Sequence, residues 1–345
     1  MAYDFVLDVP EKRVRSKGRN CSSVDSPDVL RDKEFWFIDG SIVLVASGVA
    51  FRVYKGLLAH HSDVFRDMFT VPLPEDEESI DGCPVVHLCD SSEDLRHLLR
   101  VIFHGGEWYR PNERLPFRVV AALARLSQKY QMERIRKEAV KRIKTCFCDD
   151  LKTWLEVCRI RGSSVMSFEI ADAIEAVNLA RLMNMDSMLP LALYLCCQLD
   201  TKYLVHGVAR ADGTTEQLHP DDVARCVEGR RHLLHCNVLM GMQISRRDVS
   251  YKCENREICM DCLECTNNGV WIAGGFDSRL DHCGVFDSWE QWIRKREIND
   301  LCENCNLMVR GRLFLAQQRV WMKLPQYMGV EDPPAPKKTS LGICN

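Results

Sequence analysis

The period of the apolar positions changes several times along this chain. From Ile42 to Ala46 every residue is apolar, and after Ser47-Gly48 the stretch Ala50-Phe51-Arg52-Val53-Tyr54 alternates. Two short strands around turn-forming residues predict a β-hairpin, with Ser47-Gly48 supplying the turn. Beyond Lys55 the apolar positions Leu57, Leu58, Val64, Phe65, Met68 and Phe69 fall at helical gaps, and Ser62 is placed to cap the second of two short helices. Pro72, Pro74 and the acidic run Glu75-Asp76-Glu77-Glu78 predict an exposed loop, and Val85-Val86-His87-Leu88 a third strand. Asp90 to Asp94 is cap chemistry for a helix through Leu95, Leu98, Leu99, Ile102 and Phe103, which Gly105-Gly106 ends. Amphipathic helices follow at Leu115 to Tyr130 and at Met132 to Phe147.

The helical period persists downstream. Leu151, Leu155 and Cys158 share one face, and Ile170, Ile174, Val177, Ala180 and Met183 share another. Leu189-Pro190 opens a third helix and His219-Pro220 a fourth, each with proline near its first turn. After Cys305 a further helix is predicted through Leu313, Leu315 and Val320 to Trp321, ending before Pro325. The expected fold class is α+β, with its strands confined to the first third.

In their order and spacing, residues 33–146 resemble a BTB/POZ domain. The pieces are Phe35-Trp36 with Asp39-Gly40, Phe51 to Lys55 leading into Leu57-Leu58-Ala59, Ser62-Asp63-Val64-Phe65 with Met68-Phe69, Val85 to Asp90, and Tyr130-Gln131-Met132. Tyr54 stands where the family often has histidine, and Ser41 where it often has an acidic residue. The resemblance implies a homodimer through the first helix, near Leu57 and Leu58, and the segment before the hairpin, near Phe35 and Trp36. It also implies protein interaction as the function. Family members that serve as substrate adaptors of cullin-type ubiquitin ligases commonly carry a hydrophobic-x-Glu triplet after the Met-Phe pair. Leu73-Pro74-Glu75 stands at that offset, so Leu73 and Glu75 become candidate cullin contacts; the competing reading is an exposed, solvated loop. The alternative function is a homo-oligomeric scaffold or transcriptional co-regulator with no ligase link, and the client protein has no local code.

Length and charge constrain these readings. At 345 residues the chain exceeds one core, and we expect a flexible leader (1–31), the BTB/POZ domain (32–147), a helical extension (148–235), a Cys-rich helical module (236–330) and a flexible tail (331–345). The composition, 46% hydrophobic and 28% charged, is that of a globular chain, and the net charge of −3 offers no bulk attraction for nucleic acid or an anionic membrane. The apolar runs are about half of the ~20 residues a membrane helix needs. No positive n-region precedes an apolar core at the N-terminus, so the expected location is intracellular, cytoplasmic or nuclear. The basic run Lys12-Arg13-Val14-Arg15 reads as a solvated tail or as a nuclear import signal.

The 18 cysteines are the unusual number, and Cys253, Cys259, Cys262, Cys265, Cys283, Cys302 and Cys305 crowd the last quarter. Thiolates at these spacings are suited to a tetrahedral zinc ion with sulfur at ~2.3 Å. Spacing alone favours Cys259 with Cys262 as the upstream pair of Cys302 and Cys305. The segment is also similar to the tail of a group of BTB proteins in which a spaced Cys pair and Leu-Cys-x-x-Cys precede a helix ending in Val-Trp-x-x-Leu-Pro. That resemblance favours Cys253 with Cys259, keeping Cys262 as the alternate. Structural zinc is set against reduced, partly buried thiols, with disulfides the remaining alternative. Residues 236–330 hold 12 basic and 12 acidic residues and no Cys/His finger spacing, which argues against a DNA reader. None of the usual nucleophile, phosphate-loop or metalloprotease motifs is present, so no catalytic residue is assigned; a zinc- or thiol-dependent enzyme stays the remote alternative.

Overall fold

The computed structural model describes residues 29–71, 78–105, 110, 112–210, 212–271, 282–286, 289 and 300–330. Strands β2 (Ile42–Ala46) and β3 (Val49–Val53) form the expected hairpin, with Ile42 opposite Val53 and Ala46 opposite Val49. Ser47 and Gly48 both take positive φ, 45° and 77°, the backbone that a two-residue turn needs to match strand twist. β5 (Cys83–Leu88) runs parallel to β2, while β1 (Leu30–Trp36) and β4 (Ser79–Ile80) complete a five-stranded sheet of order β1-β3-β2-β5-β4. All five residues of β2 are buried, which explains its unbroken apolar run: a central strand covered on both faces has no polar positions.

β1 begins at Leu30, inside the segment assigned from sequence to the leader, and its pattern Leu-Arg-Asp-Lys-Glu-Phe-Trp gives no period-two signal. It is held by a polar device instead. The buried Asp32 carboxylate accepts from the Glu34 and Phe35 amides at 2.9 and 2.8 Å and from Arg96 at 2.9 Å.

Helices cover one face of the sheet. α1 (Lys55–His61) and α2 (Asp63–Met68) meet at Ser62, whose hydroxyl accepts from the Phe65 amide and donates to the Tyr130 carbonyl at 2.6 Å. α3 (Ser92–His104) is capped by Ser91 and ends at Gly105. It packs on α4 (Phe117–Lys129), which in turn packs on α5 (Glu133–Cys146). Among the described residues, the other face holds a small cluster of Val43, Val45, Ala50, Cys83 and Val85, flanked by Val29, Trp36 and Ile80.

The helical region continues without a break in the core. α6 (Leu151–Ile160), α7 (Ala173–Leu182), α8 (Leu189–Cys196) and a short α9 (Thr201–His206) lead into the long α10 (Pro220–Ile244). Small ladders, β6 (Leu115–Pro116) with β7 (Met166–Ser167) and β8 (Val208–Ala209) with β9 (Thr215–Glu216), lay too short to leave a pattern. α10 runs through residue 235, so the boundary expected there falls inside one continuous helix. α11 (Arg256–Trp271) and α12 (Glu303–Tyr327) complete the described chain. α12 passes through Pro325 instead of stopping before it. Proline removes one donor so near the helix end that only a single turn follows, and Met328 still donates to the Leu324 carbonyl at 3.0 Å. One cluster of buried side chains extends from Phe35 to Met328.

Candidate metal centre and interaction surface

Four thiols converge where the loop before α11 meets the start of α12. Cys253 lies in that loop, Cys259 in the first turn of α11, Cys302 at the N-cap of α12 and Cys305 in its first turn. All four sulfur atoms lie within 4.8 Å of one another. Cys302 and Cys253 are 3.9 Å apart, far beyond a disulfide bond and close to the ~3.8 Å edge of a tetrahedron with ~2.3 Å zinc–sulfur bonds. This set could hold a metal ion. Cys262 is one helical turn beyond Cys259 and is not a member, because residues 259–262 are helical and do not form the turn that a Cys-x-x-Cys knuckle needs.

Backbone amides meet two of the sulfurs. The Cys302 amide donates to the Cys259 sulfur and the Ser250 amide to the Cys305 sulfur, both at 3.3 Å. Hydrogen bonds from the backbone at Glu254 and Cys305 lower the Cys302 thiol to about 6. Burial raises Cys259 and pushes Cys305 up to about 12. Arg312, one helical face along from Cys305, donates to the carbonyls of Arg246 and Asp248 at 3.3 and 3.1 Å and so fixes the loop that carries Ser250 and Cys253. Nothing in the local sequence marked Ser250 or Arg312 as partners of the cluster, since Ser250 gives its backbone amide and the Arg312 guanidinium meets backbone carbonyls.

The long excursion between Cys262 and Cys302 is described only in part. Cys283, Val285, Phe286 and Trp289 are buried there. The Trp289 indole donates to Asn237 at 2.6 Å, Asn237 donates to the His282 carbonyl at 2.9 Å, and Gln317 donates to the Phe286 carbonyl at 2.9 Å. Cys265 is exposed. Cys196 and Cys197 are buried, as expected of small hydrophobes in an apolar helix.

The four residues expected at a dimer interface divide. Phe35 and Leu58 are fully buried within the protomer, Phe35 against Phe37 and Phe103. Trp36 and Leu57 are half-buried, and Leu30 and Ile38 nearby in sequence are 70% and 88% exposed. Leu73 and Glu75 lie outside the described residues. No described helix is long and apolar enough to cross a membrane.

A family model for the BTB/POZ domain matches residues 30–146. Its start coincides with β1 and its end with α5. No curated protein matches the chain.

Proposed function

Because residues 30–146 are a BTB/POZ domain followed by a helical region, a module of protein–protein interaction and self-association, we propose that this chain is a non-catalytic adaptor that dimerises and docks a client onto a cullin-type ubiquitin ligase. The observation that supports it most is the folded domain itself, with exposed apolar side chains beside its outer strand. The dimer contact is assigned to Trp36 and Leu57, joined by the exposed Leu30 and Ile38, with Phe35 and Leu58 supporting them from beneath. The cullin contact is assigned to Leu73 and Glu75, with Leu73 filling an apolar pocket and Glu75 meeting a polar rim. The helical region presents the client surface.

Structural zinc is the proposed cofactor, held by Cys253, Cys259, Cys302 and Cys305. Four thiolates and one Zn²⁺ leave a net charge of −2, which the amides of Ser250 and Cys302 stabilise from the backbone.

Two measurements test the functional reading. Sedimentation at tens of micromolar should give a dimer mass, and Trp36→Glu with Leu57→Glu should give a monomer of unchanged helicity. Leu73→Glu should abolish co-precipitation with a cullin N-terminal domain while dimer mass and melting temperature stay fixed, since an anchor of that kind contributes ~2 kcal/mol or more. A dimer that fails to bind any cullin N-terminal domain at ~10 μM leaves the scaffold reading in its place.

A further inference from the structure

A half-enclosed cavity of ≈ 540 Å³ opens where α6 and α8 meet residue Phe286 and α12. Its volume lies in the ~300–1,000 Å³ range of sites that hold small organic ligands. One wall is a single helix face: Lys152, Leu155, Glu156 and Arg159 recur on α6 at i, i+3, i+4 and i+7. Arg161 follows as the C-cap in the left-handed region, φ 52° and ψ 55°, uncommon for a residue with a β-carbon. Behind it a β-carbon at Gly162 would come within 2.2 Å of the Met166 carbonyl oxygen. The turn is therefore fixed, and Arg161 is held at the cavity mouth.

The floor is apolar and pre-formed. Phe168, Tyr194 and Phe286 line it, with Tyr194 and Phe286 rings 5.0 Å apart at 62°. The buried Gln317 amide donates to the Phe286 carbonyl, and the Phe286 amide donates to the Tyr194 hydroxyl at 3.4 Å. These bonds hold the floor in place without a ligand.

The rim is cationic. Arg159 is answered by Glu156, but neither Lys152 nor Arg161 forms an ion pair among the described residues. Solvated cations on a surface are ordinary. Here two of them, at the two ends of α6, line one cavity with a buried aromatic floor. We propose that this cavity binds an amphipathic organic anion: an aromatic or branched apolar body that fills the floor, bearing a carboxylate or phosphate at the rim that Lys152 and Arg161 make cationic. The site is separate from the thiol cluster and from the BTB/POZ domain, so it stands whether or not the adaptor reading does.

The test uses the full chain and 8-anilinonaphthalene-1-sulfonate, an aromatic body with one anionic group. Fluorescence titration should show saturable binding at one site per chain. The double variant Lys152→Glu, Arg161→Glu should weaken it about tenfold, the effect of reversing two exposed charge contacts. Leu155→Trp, which fills the cavity from its wall, should abolish it. N-phenyl-1-naphthylamine, the same body without the sulfonate, should be blocked by Leu155→Trp and indifferent to the charge reversal. N-acetylphenylalanine and acetyl-Glu-Phe-amide, competed against the probe, stand for a free carboxylate and a peptide segment. Displacement by either supports the site, and the one effective at lower concentration names the source. Absence of saturable probe binding, displacement by neither competitor, or binding equal in both variants and wild type would overturn the proposal. If Leu155→Trp does not fold, as judged by circular dichroism, the charge reversal alone decides.

Discussion

Single side chains fasten the BTB/POZ domain to the helices that follow it. Arg125 on α4 meets Asp94 of α3 and Glu175 of α7, both at 2.9 Å, and Arg210 meets Glu175 and Glu216 at 2.7 Å each. Three carboxylates thus share two guanidinium groups in a site where every member is at most 24% exposed. Arg125→Met leaves Asp94 with only the longer 3.9 Å contact to Arg210, and removing one partner of a buried pair costs about 3 kcal/mol; the shift in urea midpoint measures it. His97 offers a pH-dependent counterpart. Burial lowers its pKa below the ordinary value, outweighing the carboxylate of Glu93 beside it. The unfolded chain therefore binds a proton more readily than the folded one, and stability should fall as pH drops below ~6.5, by at most ~1.4 kcal/mol per pH unit. Comparing wild type with His97→Gln at pH 7.5 and pH 5.5 isolates the effect; an equal loss in both would assign it to other groups.

At the scale of elements, the four-thiol cluster joins the loop before α11 and the first turn of α11 to the start of α12. If it holds zinc, binding free energy is folding free energy, so purified protein should contain about one zinc per chain. Cys302→Ser and Cys305→Ser should each release the metal and loosen α12, read as lost hydrogen-exchange protection in residues 303–327. Protein purified without chelator and free of zinc by elemental analysis would refute the assignment. Elements with strong local periods were legible in the sequence: the β2–β3 hairpin, α3 with its serine cap, and α4 and α5. β1 was not, because its inward positions are a charged Asp32 and an isolated Phe35. The thiol cluster was legible as a group, but spacing alone favoured Cys262, and only the resemblance favoured Cys253, which the structure brings to the cluster. That choice depends on residues 256–271 being helical, and cysteine-rich polar sequence gives little periodic signal for it. The cavity left no trace at all, since its wall reads as the solvated face of a helix and its floor comes from residues more than a hundred positions apart. Gly162, beside the cavity, has a backbone requirement of its own. With φ at 140° and no room for a β-carbon, Gly162→Ala should cost about 2 kcal/mol or more, visible in the melting temperature.

For the molecule as a whole, a chain of aromatic rings crosses the two inner boundaries expected after residues 147 and 235. Phe117 lies 6.0 Å from Phe147, Phe147 6.1 Å from Phe168, and Phe168 6.4 Å from Trp154. Trp154 lies 6.3 Å from Tyr194, Tyr194 5.0 Å from Phe286, and Phe286 5.6 Å from Trp321. Phe117 belongs to the BTB/POZ domain and Phe147 directly follows its matched residues, the next three rings belong to the helical extension and the last two to the cysteine-rich segment, so neither of these two boundaries can open without exposing aromatic surface. α10 and α12 add a second tie, packing against each other and against α8. Independent domains would unfold in separate steps, whereas a core shared in this way couples them. Trp154 is the central link and is fully buried. Trp154→Ala removes the ring between Phe168 and Tyr194 and should cost ~3–5 kcal/mol, the usual cost of truncating a large buried aromatic residue. In a coupled molecule that loss lowers the melting temperature of the BTB/POZ domain and of α12 together, as one calorimetric transition displaced as a unit. If the variant instead splits into two transitions, with the BTB/POZ domain melting where it does in the wild type, the seam is an interface between separate folding units and the ring chain only bridges them.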